Sequence, residues 1–260
     1  MSKPDSEQVL YLAIIGFGVV GSAFIQQLVD GCIPHPVEII AISDSRSMLI
    51  CTDKDFTILP SQIKATLKDY TSPTASIYGI HYALSLFVKH HPGRVVLVDN
   101  SSSDSVAETY PRFLDDGIHV VTPNKKGISG NLDAYTRVMA AAGAGRGLLF
   151  NEATVGAGLP IISTLRDLVR TGDKVGCAHR FKGGGVDVIE PQVKKIEGVF
   201  SGTLSYIFNE YSKGSVGGPS FSSIVKIAKE NGYTVSTAGE ITSPLATTRL
   251  TRRTGTPSRG

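Results

Sequence analysis

The glycine-rich segment GFGVVG, residues 16–21, has the spacing that brings a backbone against a dinucleotide. The first glycine permits a tight turn, the second lets the main chain approach a pyrophosphate, and the third lets a helix pack closely on a strand. The N–H groups of that helix then face the anion. Because the segment follows the apolar run 9–15 and precedes a helical pattern, it predicts a dinucleotide-binding turn over an ordinary glycine turn.

Two residues near the end of the second apolar run, 37–43, bear on the choice of nicotinamide cofactor. Asp44 has the position of a carboxylate that holds a ribose hydroxyl, which favours NAD. Arg46 is placed to meet a 2′-phosphate, which favours NADP. Both alternatives, and a solvated strand end, stay open at this point.

Two polar loops follow later apolar runs: DNSSS at 99–103 and TPNKK at 122–126. In an open α/β sheet the carboxyl ends of the strands line the ligand crevice. Asn and Ser in the first loop can bond a nicotinamide amide or ribose, although Ser103 also suits a helix N-cap. A lysine in the second loop can meet a substrate carboxylate or steer a proton; the alternative is a pair of surface lysines.

The elements that would position these loops alternate between strand and helix. Apolar runs at 9–15, 37–43, 94–99 and 118–122 are separated by helical patterns and short turns. This alternation predicts an α/β fold with a doubly wound parallel (Rossmann) sheet.

The second half of the chain has a different organisation. We predict a dinucleotide-binding domain at 1–150 and a partial α+β catalytic and dimerisation domain at 151–233. Residues 176–192 interrupt the second domain and read as an insert. Residues 234–260 are rich in Ser, Thr, Arg and Gly without an apolar period, which predicts a disordered tail.

Composition excludes several classes of protein. A hydrophobic fraction of 41% over 260 residues suffices for a core, and the net charge of +3 is too small to indicate nucleic-acid binding. The three cysteines lack the spacing of metal ligands and are odd in number, so neither a metal site nor a disulfide framework is indicated. The uncharged run 9–25 is short for a membrane span and broken by glycines. We therefore expect a cytoplasmic protein with no membrane or nucleic-acid partner.

Five segments together resemble one enzyme family. They are GFGVVGSAF, VDNSSS, VVTPNKKG, NEATVGAGLPIISTLRDL and KKIEGVFSGTLSYIFNEYS. The chain is similar to homoserine dehydrogenases of the fungal type over residues 9–175 and 193–233. The resemblance implies NAD(P)H-dependent reduction of the small-molecule substrate aspartate 4-semialdehyde to homoserine, a step of threonine and methionine biosynthesis.

The resemblance also implies site residues. Those expected at the NAD or NADP cofactor are Gly16, Phe17, Gly18, Val19, Val20, Gly21, Asn100, Ser101 and Lys126. Lys125, beside Lys126, is the alternative lysine near substrate and cofactor. A sodium-like monovalent cation is implied at Glu152 and the backbone carbonyls of Val155, Ala157 and Leu159. A hard cation prefers oxygen ligands, and a glycine-rich turn lets carbonyls point inward.

The chain departs from the family after Thr234. There the family's substrate-binding carboxylates and proton-donating lysine have no counterpart, so we assign no catalytic residue. The expectation is a truncated and impaired oxidoreductase; the alternative is an inactive cofactor-binding remnant. The family forms homodimers through its second domain, which is incomplete here, so this chain is not expected to retain the dimer.

Overall fold

Short, mainly apolar runs form the strands of the computed structural model. It describes residues 9–44, 47–50, 58–60, 63, 77–171, 197–198, 200–213 and 218–233. The strands are β1 (Leu10–Ile15), β2 (Val37–Ser43), β3 (Met48–Ile50), β4 (Val95–Asp99), β5 (His119–Val121) and β6 (Leu149–Phe150). Within these described ranges they form one sheet in the order β3-β2-β1-β4-β5-β6.

The sheet is mostly parallel, which confirms the predicted fold class. β1 pairs in parallel with β2 and β4, β4 with β5, and β5 with β6. β3 pairs antiparallel with β2 and was not predicted, because its apolar run is only three residues long and lies within a mainly polar segment. An antiparallel edge strand on an otherwise parallel sheet is common in doubly wound folds.

Helices connect the strands. They are α1 (Val19–Val29), α2 (Ile77–His90), α3 (Asp104–Ala107), α4 (Tyr110–Asp115), α5 (Lys126–Ser129) and α6 (Leu132–Gly143). The sequence pattern predicted one helix where α3 and α4 lie. Pro111 has no N–H for the carbonyl of Ala107, so the helix is interrupted between them.

Alternate residues of β1 enter two different cores. Tyr11 and Ala13 pack in one cluster with Ile80 and Phe113, from α2 and α4. Ile14 packs in the other, with α1. Because apolar side chains cover both faces, the strands are held rigidly, and the loops at their carboxyl ends have a fixed base.

The chain divides into two compact units, Met1–Leu159 and Pro160–Gly260. The second contains α7 (Ile161–Thr171), α8 (Gly202–Tyr211) and α9 (Phe221–Glu230), and Ile207 of α8 is buried with Ile224 and Ala228 of α9.

Several sequence predictions concern parts of the chain beyond this description. The predicted insert 176–192, the predicted tail 234–260 and Arg46 lie outside the described residues. Among the helices that are described, none is long and apolar enough to cross a membrane.

Candidate dinucleotide-binding site

The turn after β1 packs directly on the loop after β4. Gly16 has φ +86°, a left-handed conformation that favours glycine, and its N–H donates to the carbonyl of Ser43 at 2.8 Å. A Cβ on Gly16 would lie 2.8 Å from the nitrogen of Ser101 and 2.9 Å from the carbonyl carbon of Asn100. A side chain at Gly16 is therefore excluded by the neighbouring loop.

The other two glycines of the turn differ in their surroundings. A Cβ on Gly21 would lie 2.0 Å from the carbonyl oxygen of Gly16, so α1 can approach β1 only with glycine there. Gly18 is the exposed N-cap of α1, and a Cβ on it would meet nothing within 4 Å. The turn thus leaves an open approach to the backbone at the second glycine.

The residues between the glycines place backbone groups, and not side chains from the core, beside this opening. Phe17 packs its side chain against the core cluster around Ile14. Val19 and Val20 begin α1 and are 73% and 52% exposed. The N–H groups of a first helical turn have no partner within the helix, so they can bind an anion placed beside Gly18.

Asn100 brings a buried donor to the same place. Its backbone N–H donates to the carbonyl of Ile15 at 2.7 Å, which ties the loop to the end of β1. Its side-chain Nδ2 is buried and has no hydrogen-bond partner among the described residues. Leaving such a donor unsatisfied costs roughly 1–3 kcal/mol, so an acceptor supplied by a ligand would be stabilised here.

Ser101 is held by its own loop. Its N–H donates to Oδ1 of Asp99 at 2.8 Å, and its hydroxyl accepts from the N–H of Ser103 at 3.2 Å. The hydroxyl keeps its own hydrogen to donate to a ribose or amide oxygen. Ser103 also caps α3, since its Oγ accepts from the N–H of Val106 at 3.3 Å.

The two lysines of the second loop have different environments. Lys126 begins α5 and is partly buried, and its Nζ lies 3.5 Å from Oδ2 of Asp104. Lys125 is exposed, and its carbonyl accepts from the N–H of Ser129 at 2.8 Å. Of the two, Lys126 is the one whose charged group lies beside the loop that follows β4.

Sequence reasoning missed a buried polar network under these loops. Asp99 and Tyr110 are fully buried, and the Tyr110 hydroxyl donates to Oδ2 of Asp99. The Tyr110 hydroxyl also lies 3.0 Å from Oγ1 of Thr122, which donates to the Asp99 carbonyl at 2.8 Å. Burial and, second, the Asp99 carboxylate raise the pKa of Tyr110. The signal in the sequence was an aspartate that ends an apolar strand.

The loop predicted to bind a cation follows β6. Glu152 begins a one-turn 3₁₀ helix, and Val155 follows it in an extended conformation. Gly156 and Ala157 have consecutive positive φ angles of 74° and 54°. Alanine is uncommon in this conformation, and the bend brings the N–H of Leu159 within 3.0 Å of the Gly156 carbonyl. Within the described ranges no three His, Cys, Asp or Glu residues cluster, so a cation here would use mainly carbonyl oxygens.

Comparison with protein families identifies the chain. A family model described as the NAD binding domain of homoserine dehydrogenase matches residues 16–151. The chain belongs to the homoserine dehydrogenase family. A second homoserine dehydrogenase model matches residues 188–238, a range that overlaps both the predicted insert and the predicted tail. These matches confirm the resemblance inferred from the five segments.

Curated homoserine dehydrogenases of fungi are similar along most of the chain. The enzyme of Emericella nidulans is 40% identical over 227 residues, which are 86% of this chain and 56% of that protein. The enzyme of Saccharomyces cerevisiae is 39% identical, over 88% of this chain and 57% of that protein. The chain therefore spans a little over half the length of these relatives.

Solved structures support the same fold. A Candida auris protein of unknown function is 36% identical with a TM-score of 0.66, over 87% of this chain and 56% of that one. A hyperthermophilic archaeal homoserine dehydrogenase, a mutant in complex with NADPH, is 24% identical with a TM-score of 0.57. That match covers 89% of this chain and 64% of the archaeal one, and at this identity it shows the fold alone.

Proposed function

We propose that the chain binds NADH or NADPH at the glycine turn and serves the reaction of a homoserine dehydrogenase, the reduction of aspartate 4-semialdehyde to homoserine. The observation that carries this proposal is the buried Nδ2 of Asn100, which has no hydrogen-bond partner in the part of the chain that the structure describes. It lies beside a turn in which Gly16 and Gly21 have no space for a side chain. Membership of the family supports the choice of reaction.

The residues present can hold such a cofactor. In this proposal the N–H groups of Val19 and Val20 face the pyrophosphate across the open side of Gly18. Asn100 donates from Nδ2 to a ribose or carboxamide oxygen, and Ser101 offers its hydroxyl. The reduced nicotinamide, when bound, supplies a hydride to an aldehyde carbon.

Lys126 is the lysine that the proposal assigns to the vicinity of substrate and cofactor. Its ion pair with Asp104, at 3.5 Å, keeps its ammonium group beside the β4 loop. A positive charge there suits a substrate carboxylate or a cofactor phosphate. Lys125 is exposed and is the less favoured alternative.

A second candidate function is cofactor binding without turnover. Reduction of an aldehyde leaves an alkoxide that must gain a proton, and general acid catalysis contributes about 10²–10⁴-fold. The last lysine in this sequence is Lys229, and residues 234–260 contain none that matches the family's proton donor. For these 260 residues taken by themselves, the absence of that lysine favours nucleotide binding with slow turnover.

The proposal includes a sodium-like cation at the loop after β6. The Glu152 carboxylate and the carbonyls of Val155, Ala157 and Leu159 would be its ligands. The left-handed conformation of Ala157, with φ 54°, supports this assignment. Such backbone strain of about 1–3 kcal/mol persists where a surrounding interaction compensates for it.

The proposal extends to the chain that follows the nucleotide-binding domain. Residues 151–233 would be part of a catalytic and dimerisation domain, interrupted by an insert at 176–192 and followed by the tail 234–260. The helices α7, α8 and α9 lie in this range.

Titration with NADPH, followed by its fluorescence, tests the site. Gly18→Val places a side chain where the pyrophosphate would lie but where the protein itself has no atom within 4 Å. The matched control is Gly143→Val at the end of α6, where a Cβ also meets nothing within 4 Å. We expect Gly18→Val to weaken NADPH binding about tenfold or more, equivalent to at least ~1.4 kcal/mol.

The control should bind NADPH as the parent does, and both variants should unfold near the parent's temperature. Equal affinity for NADPH in the parent and Gly18→Val would contradict the placement of the cofactor.

A further inference from the structure

We propose that Asn124 is a positioning residue that couples the cofactor-side loop 100–103 to Lys126 through the buried carboxylate of Asp99. The inference rests on the proposed function for the roles of Asn100 and Lys126. Its structural part, the coupling of the two loops, stands on hydrogen bonds alone.

A single side chain bridges the ends of β4 and β5. Asn124 is 3% exposed, and its Nδ2 donates to Oδ2 of Asp99 at 3.1 Å and to the carbonyl of Ser103 at 3.0 Å. Its Oδ1 accepts from the N–H of Lys126 at 3.1 Å. The same amide therefore holds one loop with its donor and the other with its acceptor.

The Asp99 carboxylate fixes the first loop in the same way. It accepts from the N–H of Ser101 at 2.8 Å, from the Tyr110 hydroxyl and from Asn124. A fully buried carboxylate needs such donors, and loss of any one leaves a lone pair unsatisfied. Moving Asn124 consequently disturbs the group that holds Ser101, the neighbour of Asn100.

Packing reinforces the link on the side of Lys126. A Cβ on Gly127, the next residue of α5, would lie 3.1 Å from two ring carbons of Tyr110. The backbone of α5 thus rests on the ring whose hydroxyl bonds Asp99. Hydrogen bonds and packing together leave one arrangement of the two loops.

The chemistry of the amide makes the choice of residue specific. Aspartate at position 124 would set a second carboxylate against Asp99, and alanine would remove both the donor and the acceptor. Serine retains a polar group but is too short to reach Asp99 and the Lys126 N–H together. Only a planar amide of this length both donates and accepts at these distances.

Hydrogen exchange of the backbone amides tests the coupling. We expect Asn124→Ala to accelerate exchange at Lys126, whose bond is lost directly, and also at Ser101, whose N–H is bonded to Asp99 and not to Asn124. The matched control is Asn131→Ala, because Oδ1 of Asn131 accepts only a local bond from the N–H of Asp133 at 2.7 Å. The control should change exchange near Asp133 and leave both loops as in the parent.

NADPH affinity separates positioning from general stability. Asn124→Ala should weaken NADPH binding about tenfold in the parent, a size typical of coupling between contacting residues. In the double variant Asn100→Ala, Lys126→Ala the groups that Asn124 positions are gone, so the further loss should fall below about twofold. If Asn124→Ala does not fold, Asn124→Ser is measured in its place with the same expectations.

Faster exchange at Lys126 with unchanged exchange at Ser101 would overturn the coupling. An equal loss of affinity in both backgrounds would overturn the positioning role, since it indicates a structural effect. A parent chain that binds no NADPH would refute the proposed function, while the exchange of Ser101 would still decide whether Asn124 couples the loops.

Discussion

Tyr110 gives the polar network a measurable pH dependence. Burial and the Asp99 carboxylate raise its pKa, whereas in the unfolded chain a tyrosine ionises at about pH 10. The folded state therefore retains the phenolic proton at a pH where the unfolded state has lost it. The contribution to stability is complete below about pH 10 and decreases as the pH rises further.

Tyr110→Phe should make the free energy of unfolding depend less on pH above about pH 10. At neutral pH the variant should lose roughly 1–3 kcal/mol, because Asp99 loses a buried donor. Urea unfolding from about pH 8 to pH 11 measures both effects. Tyr82→Phe, which removes an exposed phenol of α2, is the control and should follow the parent. An unchanged alkaline slope in Tyr110→Phe would contradict the role assigned to Tyr110.

At the residue scale, spacing predicted the conformation of the glycine turn but not the long-range partners of the polar residues. The turn at Gly16 and the close approach of α1 at Gly21 could be read from the spacing of the glycines, whereas the contact of Gly16 with the loop after β4 could not. The bond between Tyr110 and Asp99 could not, because it joins a helix to a strand end only after both pack on the sheet. Asn124 stood in a recognised loop, but its bonds to Asp99 and Ser103 depend on the same packing.

The junction of β1 and α1 is the element on which the proposed site depends most directly. Gly21→Ala would place a methyl group 2.0 Å from the carbonyl oxygen of Gly16, which is backbone and cannot rotate away. We expect α1 to shift and the free energy of unfolding to fall by about 1–3 kcal/mol, as for other overpacked sites. NADPH affinity should fall as well, because the first helical turn moves with the helix.

Gly18→Ala is the matched control for this junction, since a Cβ there meets nothing within 4 Å. Its stability should stay within about 1 kcal/mol of the parent, the range of N-cap substitutions. Urea unfolding compares the two variants. Equal stability of Gly21→Ala and the parent would show that α1 does not need glycine for its approach to β1.

Element prediction succeeded where the pattern was continuous. The runs of β1, β2 and β4 are bounded by turns and are apolar apart from Glu38 and Asp99, so their burial on both faces followed from composition. The pattern around α3 and α4 concealed a break, because Pro111 acts through its missing N–H and not through hydrophobicity. β3 is only three residues long and follows a polar stretch, so its pairing with β2 had no sequence signal.

At the scale of the whole molecule, the two family matches differ in how much of each matched range the structure describes. The NAD binding match at 16–151 begins directly after β1 and contains the other five described strands, and the structure describes most of this range. The second match, at 188–238, contains α8 and α9, which both begin at a serine cap and share a small core. The proposed cofactor residues lie in the first unit, so binding of nucleotide can be tested separately from turnover.

Turnover by the 260-residue polypeptide should be slow. With aspartate 4-semialdehyde and NADPH, we expect a rate well below the usual range of about 1–10³ per second, because no lysine after Lys229 is available to protonate the alkoxide. The measurement is oxidation of NADPH, with the Saccharomyces cerevisiae homoserine dehydrogenase as the positive control. Joining the corresponding C-terminal segment of that enzyme after Thr234 should raise turnover about 10²-fold or more if the proton donor is what the polypeptide lacks. Turnover at a normal enzyme's rate by the polypeptide alone would refute this account. Tight NADPH binding without turnover would support it, provided that the added segment restores turnover.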